Sequence, residues 1–220
     1  MIKRFPTICI DNFYENPDEV RDFALSLDYT KCENGQAPGE RTKCLSLLNR
    51  NLWEQFCKKL FSIFYDTNYC RLDWNVYSSF QKIYPYSTDK NSIKNIGWVH
   101  KDKINILAGI IYLTPNIEKE SGTSIYRQNS FFNQDSYLKY KHNFFKGNII
   151  PNYDDKLKEH NSHFEETARF NNIYNRLVAY DGEEYHAASS YYSSSQPRLT
   201  QVFFVNNIKC DSNYPLMRKI

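Results

Sequence analysis

The chain has 220 residues with 28 Lys+Arg against 25 Asp+Glu, a formal charge of +3, and is 41% hydrophobic and 24% charged. That composition is ordinary for a globular protein with one sizeable core, so it excludes wholesale disorder, and the charge is too weak for a dedicated polyanion binder. No apolar run approaches the roughly 20 residues of a membrane span, and MIKRFPTICIDNF turns polar too early for a signal peptide.

In chain order, Ile8 to Ile10 reads as a short strand. NPDEVRDFALSLDY then carries helix-entry chemistry: Asn16 as N-cap, Pro17 at the first helical position, and Asp18 and Glu19 in the first turn. Val20, Phe23, Ala24 and Leu27 fall at helical spacing and form one apolar face. Residues 29–41, with Gly35, Pro38 and Gly39, read as a loop. Leu52, Trp53, Phe56, Leu60, Phe61 and Phe64 mark a second amphipathic helix, whose stripe is expected to pack in the core. Six cysteines are scattered without a CxxC pair, and a chain of this length needs no covalent staples, so reduced thiols are expected.

From about residue 75 the texture changes. WNVYSSFQKIYPYS, INILAGIIYLTP, TSIYR, NRLVAYD and RLTQVFFV are β-rich runs divided by turn residues. The expected fold is α+β and mainly β: an antiparallel jelly roll with the N-terminal helices buttressing one face. One domain is expected over 1–220, with a helical part at 1–74 and a core at 75–205. An insertion from about 128 to 170 interrupts it, with a helix expected over DDKLKEHNSHFEETARF. A structureless stretch of that length would be unusual in a compact domain. Its aromatic residues interleaved with Lys139, Lys141 and Lys146 suit either a lid over a ligand or a fixed decoration of the flank.

The chemistry concentrates in GWVHKDK. His100 and Asp102 are two apart, so on extended backbone their side chains share a side. They make two corners of a 2-His-1-carboxylate triad, which leaves positions of an iron(II) open for a co-substrate and dioxygen. His186, just after the apolar run RLVAY, is the candidate third ligand. Arg198 opens RLTQVFFV, where Arg198, Thr200, Val202 and Phe204 share one strand face. A buried guanidinium is costly unless it meets an anion, and Arg forks onto carboxylates in bidentate fashion, with the Thr200 hydroxyl able to add a bond. A metal at one end of a barrel and a carboxylate receptor deeper inside is what 2-oxoglutarate requires.

The order VHKDK, AGIIYLTP, ESGTSIYR, RLVAYDGEEYH, RLTQVFFV resembles the Fe(II)/2-oxoglutarate-dependent dioxygenases, in particular their prolyl-4-hydroxylase-like branch, over about residues 75–205. The N-terminal segments FYENPDEVRDFAL and PGERT are similar to those of phage and proteobacterial relatives. The resemblance implies a double-stranded β-helix of the cupin-like jelly-roll type, with His100, Asp102 and His186 binding iron. It also implies that Arg198, Thr200 and Tyr112 hold 2-oxoglutarate. Fe(II), 2-oxoglutarate and O2 are the implied cofactors, with ascorbate as an optional reductant. The implied reaction is hydroxylation of a C–H bond in a peptidyl side chain, amino acid or other small metabolite, with release of succinate and CO2. Thr200 departs from the family's commoner Ser, and the insertion is longer than in compact members.

Several side readings accompany this one. Asp102 argues against a halogenase, where a small residue opens a halide position. Phe204 stands where AlkB-type demethylases have a second Arg, which argues against nucleic acid. Trp98 and Phe80 are expected in the core rather than at a substrate mouth. His160 and His163 in HNSH lack a nearby third zinc ligand and are expected on a solvated helix face, and His142 at the surface. The expected partner is a small molecule or peptide, without membrane, in the cytoplasm of a bacterium or a virus-infected cell. The competing class is a non-catalytic cupin-like ligand-binding jelly roll.

Overall fold

A computed structural model describes residues 5–102, 104–130, 132–133 and 135–210. Pro17 opens helix α1 (Pro17–Leu25), with Asp18 and Glu19 in its first turn where the helix dipole favours acids. Asn16 occupies the N-cap position but its side chain makes no capping bond, so the proline and the acids carry the entry. A one-turn helix α2 (Leu45–Leu48) leads into α3 (Arg50–Phe64), where the Asn49 side chain accepts from the Leu52 amide. The expected stripe of α3 is buried at Trp53, Phe56, Leu60, Phe61 and Phe64.

Among the described residues, ten strands form two antiparallel sheets. The larger contains β1 (Ile8–Ile10), β2 (Thr30–Lys31), β3 (Glu40–Arg41), β4 (Leu72–Ile83), β5 (Leu107–Tyr112), β8 (Leu177–Asp181) and β10 (Arg198–Cys210), in the order β1-β8-β5-β10-β4-β3-β2. The smaller contains β6 (Thr123–Gln128), β7 (Phe164–Phe170) and β9 (Tyr185–Ala188), in the order β7-β6-β9. Residues 29–41 are thus not wholly loop: β2 and β3 pair, and Arg41 lies opposite Gln81 on β4.

The large sheet buries both faces, and strand alternation divides the work. Leu199, Phe203 and Val205 on β10 point outward onto Phe56, Phe61 and Phe64 of α3 and form the main core with Phe80. Val202, Tyr112, Ile110, Val178 and Tyr180 face inward and meet Ile125 of the small sheet. The N-terminal helices therefore buttress one sheet face, as their apolar stripes require. None of the six cysteines forms a disulfide. Among the described residues no helix is long and apolar enough to cross a membrane.

The insertion corrects two expectations. Its aromatic first half is helix α4 (Asp135–Lys146), and the later helix α5 (Tyr153–Ser162) stops before FEETARF, which is strand β7. Helix-forming residues there yield to backbone pairing with β6, Arg127 opposite Glu165 and Ser124 opposite Arg169. The excursion from the sheets thus ends at His163. Tyr140 and Phe144 of α4 and Tyr153 and Leu157 of α5 pack with Trp98.

Candidate metal centre

The chain crosses between the two sheets twice at one end of the inner space. Residues 100–106 leave the small sheet for β5, and residues 182–184 return from β8 to β9. His186 is therefore on β9 of the small sheet, separated by a turn from the RLVAY strand that was expected to deliver it. His100 sits on irregular backbone, bridged to His186 by two amide–carbonyl bonds of 3.0 and 2.9 Å. The Asp102 amide donates to the Gly182 carbonyl at 3.0 Å, tying one crossover to the other.

These connections bring His100, Asp102 and His186 together, with one ligand atom from each inside a span of 4.8 Å. His100 Nδ1 lies 2.8 Å from the Trp98 carbonyl, and His186 Nδ1 lies 3.0 Å from the Glu184 carbonyl. A carbonyl only accepts, so each Nδ1 carries the proton and each Nε2 keeps its lone pair for the site. Burial, with Lys141 and His186 beside it, holds the His100 imidazole well below its ordinary pKa, in the neutral form that ligates. Burial opposes ionisation of Asp102, but His186, His100 and Lys141 outweigh it and hold the carboxyl well below the usual range.

His186 Nε2 stands 3.4 Å from Asp102 Oδ2. That contact is favourable with a proton on Nε2, and a metal ion between the two atoms would take the place of that proton. The chemistry of the donor set, two imidazole nitrogens with tautomers fixed by backbone carbonyls and one carboxylate, fits a divalent transition metal such as iron. Tyr180 closes one side, its ring centroid 4.3 Å from that of His186.

Arg198 lies on the wall of the same cavity, which holds about 770 Å³. It is 2% exposed, its Nε donates to the Ser121 carbonyl at 2.8 Å, and no carboxylate among the described residues pairs with it. Its guanidinium carbon sits 5.3 Å from the centre of the Tyr112 ring. Thr200 pairs across the sheet with Tyr112, so all three share the inner face. Tyr112 donates its hydroxyl to Thr123 Oγ1 at 2.8 Å, while Thr200 Oγ1 is buried without a partner. Thr123 is on the cavity wall, whereas Tyr112 and Thr200 stand behind it.

Phe80 is fully buried in the main core. Trp98 is also buried, donating its Nε1 proton to Tyr153 Oη at 3.1 Å, and its edge reaches the cavity. His160 is not on a solvated face: it is 2% exposed and bonded through Nε2 to the Val99 carbonyl among aromatic rings. His163 stacks on Phe132 at 4.0 Å, and His142 is half-buried on the cavity wall rather than at the surface. Among the described residues, His100, Asp102 and His186 are the group that could hold a metal ion.

Sequence reading passed over two cavity residues, Arg41 of β3 and Lys141 of α4. Arg41 lies within PGERT and Lys141 within the aromatic–lysine run, but neither pattern says where a side chain points.

No curated protein matches the chain. In fold it is similar to EvdO2 from Micromonospora carbonacea var. aurantiaca, with a TM-score of 0.52 and 9% identity over 95% of this chain and 89% of that one. It is likewise similar to HygX from Streptomyces hygroscopicus, solved with nickel and 2-oxoglutarate bound, with a TM-score of 0.50 and 11% identity over 90% of this chain and 82% of that one. A prolyl hydroxylase from Trichoplax adhaerens, in complex with a peptide fragment of hypoxia inducible factor, matches with a TM-score of 0.48 and 9% identity over 90% and 82%. At these identities the likeness is one of fold. Residues 2–199 match the model of a family of unknown function, DUF6445, and the chain belongs to that family.

Proposed function

We propose that this protein is an Fe(II)- and 2-oxoglutarate-dependent oxygenase, with the two sheets forming a double-stranded β-helix and the whole chain serving as one oxygenase domain. His100, Asp102 and His186 are its iron ligands, and Arg198, with Thr200 and Tyr112, receives the far carboxylate of 2-oxoglutarate. The observation that carries the reading is the convergence of two correctly tautomerised imidazoles and an ionised carboxylate within 4.8 Å, in one cavity with an unpaired, buried Arg. The fold shared with HygX, which binds nickel and 2-oxoglutarate, supports it.

When bound, iron(II) with 2-oxoglutarate and O2 supplies oxidative decarboxylation to succinate and CO2 and inserts oxygen into a substrate C–H bond. The chain's own residues orient the reactants. The Trp98 and Glu184 carbonyls fix the two imidazoles. Tyr112 stacks beneath Arg198, and the Ser121 carbonyl holds its Nε, which leaves the rest of the fork for a carboxylate. The Thr200 hydroxyl does not line the cavity but is buried on the same inner face without a hydrogen-bond partner among the described residues, a spare donor for that group. Six cysteines without a disulfide suit a reducing cytoplasm.

Anaerobic titration with Fe(II) and 2-oxoglutarate tests the reading. A bidentate keto acid on a facial triad should give a visible metal-to-ligand absorption band, and admission of air should yield succinate. Neither band nor succinate would leave a ligand-binding jelly roll.

A further inference from the structure

We infer that the substrate of this site is a small acidic molecule, whose carboxylate or phosphate is held between Arg41 and Lys141. The inference rests on the oxygenase reading for the placement of iron and co-substrate.

The argument begins with the charge lining the cavity. Its described wall carries Lys31, Arg41, Lys101, Lys141 and Arg198, and a single acid, Asp102. A chain with a formal charge of only +3 does not produce that imbalance by average composition. Lys101 is answered by Glu183 at 3.2 Å. A divalent ion, Asp102, Arg198 and a doubly charged 2-oxoglutarate cancel one another. Lys31 is exposed and solvated, so Arg41 and Lys141 are the sheltered cations that remain, and neither has an ion-pair partner among the described residues.

Their burial makes the excess meaningful. Lys141 is 7% exposed, and Arg41 is half-buried with its Nε enclosed and without a hydrogen-bond partner among the described residues. Surface lysines are solvated and cheap, whereas a buried unpaired cation is costly and persists where it meets an anion. Burial also pushes the Lys141 ammonium down to about 8, with Asp102 pulling up and Arg41 pushing down, so the two cations are within electrostatic reach of each other and of the triad. Arg41 is held over the Phe204 ring at 5.5 Å on the inner face.

The two cations come from segments that are locked together. Gly35, at φ +67°, packs its backbone on α4, where a Cβ would fall 2.1 Å from the His142 carbonyl oxygen. The β2–β3 turn and α4 therefore meet beside the sheet and present Arg41 and Lys141 to one cavity. Its volume of about 770 Å³ suits a small molecule.

Two anions serve as probes: inorganic phosphate, followed by 31P line width, and acetate, followed by saturation transfer from the protein. Both are titrated into the metal-free protein and into protein loaded with redox-inert Zn(II) and 2-oxoglutarate. Arg41→Gln and Lys141→Met are compared with wild type after circular dichroism has shown them folded. Binding of either probe that weakens by about tenfold or more in both variants, as for a lost charge-assisted bond, supports the inference. The responding probe distinguishes a carboxylate from a phosphate. Absence of binding by both probes, or equal binding in wild type and both variants, overturns it. Loss of Zn(II) and 2-oxoglutarate binding with a variant-sensitive anion site would sink the oxygenase reading alone.

Discussion

Gly182 and Asn105 approach so closely that a Cβ on Gly182 would lie 1.7 Å from the Asn105 carbonyl oxygen. This contact sits where the two crossovers meet, next to the bond from the Asp102 amide to the Gly182 carbonyl. Any side chain at 182 must push the 102–106 segment away and carry the Asp102 carboxylate with it.

Gly182→Ala should therefore lower metal affinity by about tenfold or more, the size expected when a ligand loses its support. It should also destabilise by about 1–3 kcal/mol through overpacking. Metal titration and chemical denaturation of one preparation check both. Unchanged metal affinity would mean the crossover relaxes without moving Asp102.

His100→Ala and His186→Ala each remove one of three ligands. Metal content per chain should fall to near zero in both, while circular dichroism stays that of wild type. Retention of metal in both variants would sink the triad.

Arg198→Lys keeps the charge but loses the planar fork over Tyr112. The Kd for 2-oxoglutarate should rise by about tenfold, or about 1.4 kcal/mol, with metal affinity nearly unchanged. Equal loss of both would indicate general disruption of the inner face instead.

Lys141→Met should stabilise the substrate-free protein by about 1 kcal/mol, because it replaces a buried unpaired cation with an apolar chain of similar length. The pH dependence has a definite sign. The Lys141 pKa falls from an unfolded value of about 10.4 to about 8 in the fold. Between these values the unfolded state binds more protons, so wild-type stability gains as pH rises through that window. The advantage of Lys141→Met should be largest below pH about 8 and fade towards pH about 10. Denaturation midpoints at pH 7 and at the upper limit check this, and a constant difference would contradict it.

The α4–α5 excursion packs Tyr140, Phe144, Tyr153 and Leu157 onto Trp98, and Lys141, His142 and Phe145 of α4 line the cavity. Limited proteolysis should cut at its exposed tip, Gly147 to Ile149, where Ile149 is 96% exposed. The cutting rate should be the same with and without metal and 2-oxoglutarate. Ligand-dependent protection would instead reveal a lid.

Local chemistry determined much of this protein in advance. Pro17 with two acids placed α1, and the apolar spacing placed α3. Alternation along β10 put Arg198, Thr200 and Val202 on one face and Phe203 on the other, because strand side chains alternate whatever the neighbours are. The HxD spacing suggested two ligands on one side, and the order of His186 and Arg198 pointed to one site through the resemblance to the dioxygenases. What depends on pairing between distant segments was decided only in the tertiary structure. FEETARF is a strand because β6 offers it a backbone partner, and His186 belongs to β9 because a turn at Gly182 returns the chain to the small sheet. Arg41 and Lys141, 100 positions apart, converge because Gly35 lets a turn lie against α4. No local propensity encodes that contact, since its favourable energy exists only after both segments have docked on the sheet.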